Sequence, residues 1–131
     1  FINCIFGISN FNDCGFRYTI LRNSNFENTH IGGCTFKGAD ARGSIFNGVT
    51  AAGADFSNSN LSGCSMIDAQ IVGANFKQAT MTGINMGDAA LINCDFRGAI
   101  GITNEQLYAF ASKDIDTYTF TGVDGEIITV P

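Results

Sequence analysis

The 131-residue chain has little of what several common functional classes require. It contains one proline, one histidine and no tryptophan, and only 15% of its residues are charged. No apolar run approaches the roughly 18–20 residues that a membrane helix needs, so we expect no membrane span. An apolar content of 45% with so little proline also argues against disorder. These shortages indicate one ordered domain of unusual composition, with 16 glycines and 12 phenylalanines.

The cysteines lack the spacing of a metal site or of a disulfide framework. They are Cys4, Cys14, Cys34, Cys64 and Cys94, and none belongs to a C-x-x-C pair. Because His30 is the only histidine, we expect no zinc site. We also expect no catalytic cysteine–histidine pair, because His30 lies one residue before a large apolar residue and is predicted to point outward, whereas Cys34 is predicted to lie inside. An odd number of cysteines fits a reducing compartment better than a disulfide scaffold. We therefore expect free thiols, no metal and no cofactor.

Large apolar residues occupy every fifth position of the first hundred residues. The stretch ADFSNSNLSGCSMIDAQIVGANF, residues 54–76, has such residues at Phe56, Leu61, Met66, Ile71 and Phe76. We call these positions centres, and all twenty centres from Phe1 to Phe96 are apolar. Small residues stand two positions before most centres. Glycine, asparagine and aspartate dominate two positions after them.

A period of five fits neither a straight strand nor a straight helix, whose side chains repeat with periods of 2 and about 3.6. If the chain turns a corner every five residues, however, every centre points inward. Glycine, asparagine and aspartate tolerate the backbone angles of such corners. Sorting the centres by twenty produces a column that contains only phenylalanine: Phe16, Phe36, Phe56, Phe76 and Phe96. Sorting by fifteen mixes residue types, so we predict a coil with twenty residues in each turn.

The quintets ADFSN, CTFKG, ANFKQ and CDFRG resemble the repeats of the pentapeptide-repeat family. The resemblance covers about residues 1–100. It implies an all-β fold, a right-handed quadrilateral parallel β-helix, which is a solenoid of about five turns. Ile8 and Tyr18 depart from the family pattern because they replace glycine or asparagine after a centre. Ala41 and Ala51 are small residues at two centres of one turn.

The five-residue period stops at residues 101–131, which we expect to form a C-terminal helix and β-hairpin. Thr103 and Gln106 form a capping-box sequence that opens a helix to about Ser112. A strand at 118–121 and a two-residue turn at Asp124-Gly125 predict the hairpin. This segment is a cap, a homodimer seam or a link to a further domain. The candidate contacts are Leu107, Phe110, Tyr118 and Phe120.

Two rows of outward-facing side chains are candidate partner-binding surfaces. The basic row follows the all-phenylalanine centres and consists of Arg17, Lys37, Lys77 and Arg97, interrupted by Ser57. Like charges on a ladder repel, and Asp55 and Asp95 are placed to relieve that repulsion. The apolar strip consists of Ala52, Val72 and Ile92. The basic row is either a solvated ladder or a docking surface for an acidic partner.

No group of residues predicts catalysis, because a rod filled by its own side chains offers no cleft for paired acids. The family resemblance implies a rigid scaffold or protein-interaction module, as occurs in larger bacterial proteins that include secreted effectors. An alternative that it also implies is a DNA mimic, which binds a type II topoisomerase and protects gyrase from quinolones. The coil is a poor mimic of phosphates, because its seven acidic and six basic side chains balance to −1.

Nucleic-acid binding is also disfavoured, because the chain has a pI of about 4.5 and few basic residues. We therefore predict a non-enzymatic scaffold with a protein partner. The chain begins at Phe1 in phase with the repeat, so we expect a piece of a larger protein whose targeting segment lies elsewhere. The expected location is a bacterial cytoplasm or, for an effector, a host cytosol.

Overall fold

The computed structural model describes residues 1–131, and their first hundred form a coil of stacked parallel segments. Each backbone bridge between two residues of the coil joins a residue to the one twenty positions later, as Thr35 joins Asp55. Two neighbouring segments lengthen into the parallel strands β1 (Gln70–Val72) and β2 (Ala90–Ile92). Because bridges recur every five residues, a turn contains four bridged segments. The predicted turn of twenty residues is confirmed.

The corners of the coil explain the glycine, asparagine and aspartate residues that follow the centres. At a typical corner the amide of Cys34 donates to the carbonyl of Ile31, with 3.1 Å between nitrogen and oxygen. The third residue of that corner, Gly33, has a φ of 67°, as a type II turn requires. Ile8 avoids this conformation because the positive φ falls on Gly7 instead. Tyr18 adopts it, with a φ of 54°.

Two facing columns of phenylalanine fill much of the interior. Phe36 and Phe56 stack face to face with ring centroids 4.8 Å apart, so the ring spacing matches the spacing of hydrogen-bonded strands. On the opposite side Phe26 stacks on Phe46 at 4.9 Å. The columns meet edge to face, as between Phe46 and Phe56 at 5.9 Å. These are favourable aromatic geometries, and they leave these four rings almost inaccessible to solvent.

The tail forms helix α1 (Asn104–Phe110) and the antiparallel strands β3 (Tyr118–Thr121) and β4 (Ile127–Val130). The predicted capping box is confirmed, since Thr103 and Gln106 exchange hydrogen bonds. The helix ends at Phe110 rather than at Ser112. The predicted two-residue hairpin turn is wrong: Thr121 pairs with Ile127, and residues 122–126 form a longer connection.

The hairpin and helix cover the last turn of the coil. The amides of Asn93 and Phe96 donate to the carbonyls of Thr119 and Thr121, at 2.8 and 2.9 Å. The ring of Phe120 meets the ring of Phe96 edge to face, with centroids 5.7 Å apart. The tail therefore supplies backbone acceptors and an aromatic contact to residues 93–98 of this turn. The single helix, seven residues long, is too short to cross a bilayer.

Candidate protein-interaction surface

Three members of the basic row line one open depression on the coil. Its volume is about 530 Å³ and its rim includes Lys37, Lys77 and Arg97. Ser57 lies between the two lysines, and its short side chain creates the gap that they flank. The remaining lining residues are polar: Asn58, Asn75, Gln78 and Gly98. The expectation that the rod has no concave surface is therefore wrong, although its interior is filled.

Arg17 extends the basic row beyond this depression. It lies in the turn next to Lys37, because the amide of Tyr18 donates to the carbonyl of Lys37 at 2.9 Å. Its side chain is exposed and does not line the depression. The structure thus brings together three of the four predicted cations and places the fourth at one end.

Only one cation of the basic row is neutralised by a carboxylate. Arg97 pairs with Asp95 at 2.7 Å, and this guanidinium lowers the pKa of Asp95 below its usual range. Asp55 instead accepts a hydrogen bond from the amide of Ser57 at 2.9 Å. Lys37 and Lys77 form no ion pair. The depression therefore keeps two lysines without a direct carboxylate partner, although Lys77 also helps to lower the pKa of Asp95.

Tyr18 stands at the end of the column that contributes Asn58, Gln78 and Gly98 to the depression. Its side chain is 72% exposed, and its ring lies over Gly38 in the next turn. A bulky residue at positive φ is uncommon and costs roughly 1–3 kcal/mol. The sequence shows Tyr18 only as a departure from the repeat. Its position beside the basic row becomes evident from the twenty-residue register.

The apolar strip lies on the neighbouring side of the coil, five residues earlier in each turn. Val72 and Ile92 are direct partners in the pairing of β1 with β2. Val72 is 42% exposed, whereas Ile92 packs partly against the core. Ala52 is exposed but presents only a methyl group. The strip is therefore narrow, and Val72 is its most prominent exposed apolar side chain.

Comparison with models of known protein families identifies the family of the coil. The model for pentapeptide repeats matches residues 9–48, 44–83 and 69–100, with eight copies. The chain belongs to the pentapeptide repeat family. The matched residues make up more than half of the chain, and they include all of the basic row and the apolar strip. The tail lies outside the matches.

Solved pentapeptide repeat proteins share the fold of this chain. A protein from the thylakoid lumen of Arabidopsis thaliana is 23% identical, with a TM-score of 0.62 over 75% of this chain and 71% of its own. The protein Rfr23 of the cyanobacterium Cyanothece 51142 is 17% identical, with a TM-score of 0.53 over 76% of this chain and 78% of its own. These likenesses show that the coil is a right-handed β-helix. No curated protein matches the chain.

The predicted cap or dimer contacts in the tail of this pentapeptide repeat protein are largely used within the chain. The exposed fractions of Leu107, Phe120 and Tyr118 are 0%, 1% and 8%. The Tyr118 hydroxyl donates to the carbonyl of Ser112 at 3.0 Å. Phe110 remains partly accessible. Of the four, Phe110 has the most surface left for a second molecule.

The cysteines of the repeat are free, and three of them are buried. Burial raises the pKa of Cys64 and of Cys94 to about 12, so these thiols stay protonated near neutral pH. We expect iodoacetamide to modify at most Cys4 and Cys14 in the folded protein, and all five cysteines after denaturation. Mass spectrometry of the modified chain measures the number. Rapid native modification of Cys64 or Cys94 would contradict the described packing.

Proposed function

We propose that this protein is a non-enzymatic, rigid scaffold that binds an acidic segment of a partner protein at the basic row. The observation that supports the proposal is the depression in which Lys37 and Lys77 stand without carboxylate partners. The stacked coil holds the backbone of these residues in fixed register. A rigid surface loses little conformational entropy on binding, which favours affinity.

The spacing of the cations suits a helical or extended acidic segment. Lys37 and Lys77 are two turns apart, so their backbones are about 10 Å apart at ~4.8 Å for each turn. Carboxylates seven residues apart on one face of a helix are separated by a similar distance, ~10.5 Å. Tyr18, which lies beside Arg17 beyond the depression, provides an exposed aromatic contact, and tyrosine is enriched at interface hot spots.

The DNA-mimic alternative has less support from the arrangement of charges. Asp40 accepts hydrogen bonds from Arg22 at 2.7 Å and from Arg42 at 2.8 Å. These guanidinium groups hold the pKa of Asp40 well below its usual range. Together with the pair between Arg97 and Asp95, this leaves five coil carboxylates outside ion pairs. A phosphate mimic needs a continuous negative stripe, which these pairings interrupt.

A charge-reversal experiment tests the proposed binding surface. We expect a fluorescent poly-glutamate peptide to bind the folded protein, with an affinity that falls as salt is added. The double variant Lys37→Glu/Lys77→Glu should weaken this binding by about tenfold or more, because rim charges on the depression become repulsive. Fluorescence anisotropy at two salt concentrations measures both effects.

The matched control is Arg22→Glu/Lys113→Glu, which changes the net charge equally but leaves the depression intact. If the control weakens peptide binding as strongly as the row variant, binding reflects net charge and not this surface. Circular dichroism of both variants should remain that of the parent protein. Absence of measurable peptide binding by the parent protein would overturn the proposal.

A further inference from the structure

The lining of the depression on the basic row narrows the chemical class of its ligand. None of its eight lining residues is apolar and none is acidic. Three are the cations Lys37, Lys77 and Arg97, and four others contribute hydroxyl or amide groups. Lysine, arginine, asparagine, glutamine and serine side chains all donate hydrogen bonds. The depression therefore suits a compact anion that has several acceptor oxygens.

Several of these donors have no partner within the chain. The side-chain oxygen of Asn75 accepts from the amide of Lys77 at 2.9 Å, so the NH₂ group of Asn75 remains free to donate. Arg97 uses its Nε and Nη2 atoms on Asp95 and keeps Nη1 unused. Lys37 and Lys77 form no ion pair. An anion placed over Ser57 thus meets unused donors from successive turns of the coil.

Two carboxylates beside the row disfavour an extended polyanion. Asp55 and Asp95 stand two positions before Ser57 and Arg97, on the same side of the coil. A run of negative charges along the whole row would pass both carboxylates and be repelled by them. Neither carboxylate lines the depression. A single, highly charged group between Lys37 and Lys77 therefore gains the attraction of both lysines with less repulsion.

We infer that the depression binds a phosphate monoester on a serine or threonine side chain of the partner protein. The inference rests on the proposed function, because it names the acidic group that the basic row binds. A phosphate monoester carries a charge of about −1.5 to −2 near neutral pH and three strong acceptor oxygens. One such group can neutralise Lys37 and Lys77 together, which one carboxylate cannot. Phosphotyrosine is disfavoured, because the depression has no apolar side chain to contact its ring.

NMR titration with three peptides tests this assignment. The peptides contain glycine and serine and differ only at the central position, which is phosphoserine, glutamate or serine. We expect the phosphoserine peptide to bind about tenfold or more tightly than the glutamate peptide, because it adds charge and charge-assisted hydrogen bonds. The serine peptide should show no measurable binding. The amide signals of Ser57 and Gln78 should shift, whereas that of Gly32, on another side of the coil, should not.

A substitution at Ser57 tests whether the phosphate lies between the lysines. Ser57→Glu places a carboxylate in this gap and should weaken binding of the phosphoserine peptide by about tenfold or more. The matched control is Ser62→Glu, which makes the same change one position after a centre on the next side. The amides of Ser57 and Ser62 donate to the side chains of Asp55 and Asn60, at 2.9 and 3.1 Å. We expect the control to leave binding unchanged.

The inference and the proposed function can fail separately. Equal affinities of the phosphoserine and glutamate peptides, or phosphoserine binding that survives Ser57→Glu, would overturn the inference. In either case, loss of poly-glutamate binding in Lys37→Glu/Lys77→Glu would still support the proposed function. Tighter binding of an oligothymidylate of the same net charge than of the phosphoserine peptide would also overturn the inference, because the preferred phosphate would then belong to a nucleic acid.

Discussion

Replacing Phe56 by alanine should lower the free energy of unfolding by about 3–5 kcal/mol, because it empties a space that the stacked coil cannot close. Phe56 lies between Phe36 and Phe76, with ring centroids 4.8 and 5.1 Å away. The same turn contains Ala41 and Ala51, whose small side chains cannot fill the cavity. A loss of this size is a large share of the ~5–15 kcal/mol that typical domains possess.

Urea denaturation followed by circular dichroism measures the effect. The matched control is Phe1→Ala, because Phe1 is a centre of the same repeat but is 64% exposed. We expect the control to change the free energy of unfolding by less than about 1 kcal/mol. A loss below 1 kcal/mol for Phe56→Ala would show that the phenylalanine columns do not carry the stability of the coil.

Removing the tail after Ile100 should convert the protein into larger assemblies. The truncation takes away the carbonyls of Thr119, Thr121 and Val123 that satisfy the last turn, and it exposes Leu91 and Phe96. The last turn of the coil then presents unpaired backbone groups. Edge-to-edge association through this turn then becomes available. We expect large soluble or insoluble assemblies in size-exclusion chromatography, and a melting temperature at least about 10 °C lower.

A single substitution tests the capping role of the tail without deleting any residues. Phe120→Asp places a carboxylate against Phe96 and should detach the cap with similar consequences. Ile127→Asp introduces the same side chain on the adjoining strand, where Ile127 is 63% exposed, and should leave the protein as it is. A truncated chain that stays monodisperse with an unchanged melting temperature would show that the tail is not needed to close this end.

The repeat itself made the coil predictable. Phenylalanine recurs every twenty positions at Phe16, Phe36 and Phe56. This recurrence indicates that the three residues stack, because rings of equal size pack best on one another. The bridge from Thr35 to Asp55 has the register that this sorting predicts. The sequence also shows why corners form, since glycine, asparagine and aspartate stand where φ is positive. A local rule repeated over the coil left little freedom for other arrangements.

The hairpin and the depression were predicted less well, because both depend on contacts between distant residues. Asp124-Gly125 is a strong local turn signal, but Asn104 hydrogen-bonds to Val123 and Asp124 and holds a longer connection. The depression arises from the shortness of Ser57 between lysines that are forty residues apart. Its polar lining can be recognised only when the twenty-residue register places Asn58 and Gln78 in one column with Tyr18.

The pairing of each residue with the one twenty positions later also restricts how the coil can change in length. Duplication of residues 41–60 would return every column to its original side, and it would preserve the surface of the last turn on which the tail packs. Insertion of a single quintet between residues 40 and 41 would move all later columns by one side, and it would place Lys37 and Lys77 on different sides of the coil. Length is therefore adjustable only in whole turns, each adding about 4.8 Å. The length of such a coil is therefore a whole-number multiple of the spacing between hydrogen-bonded strands.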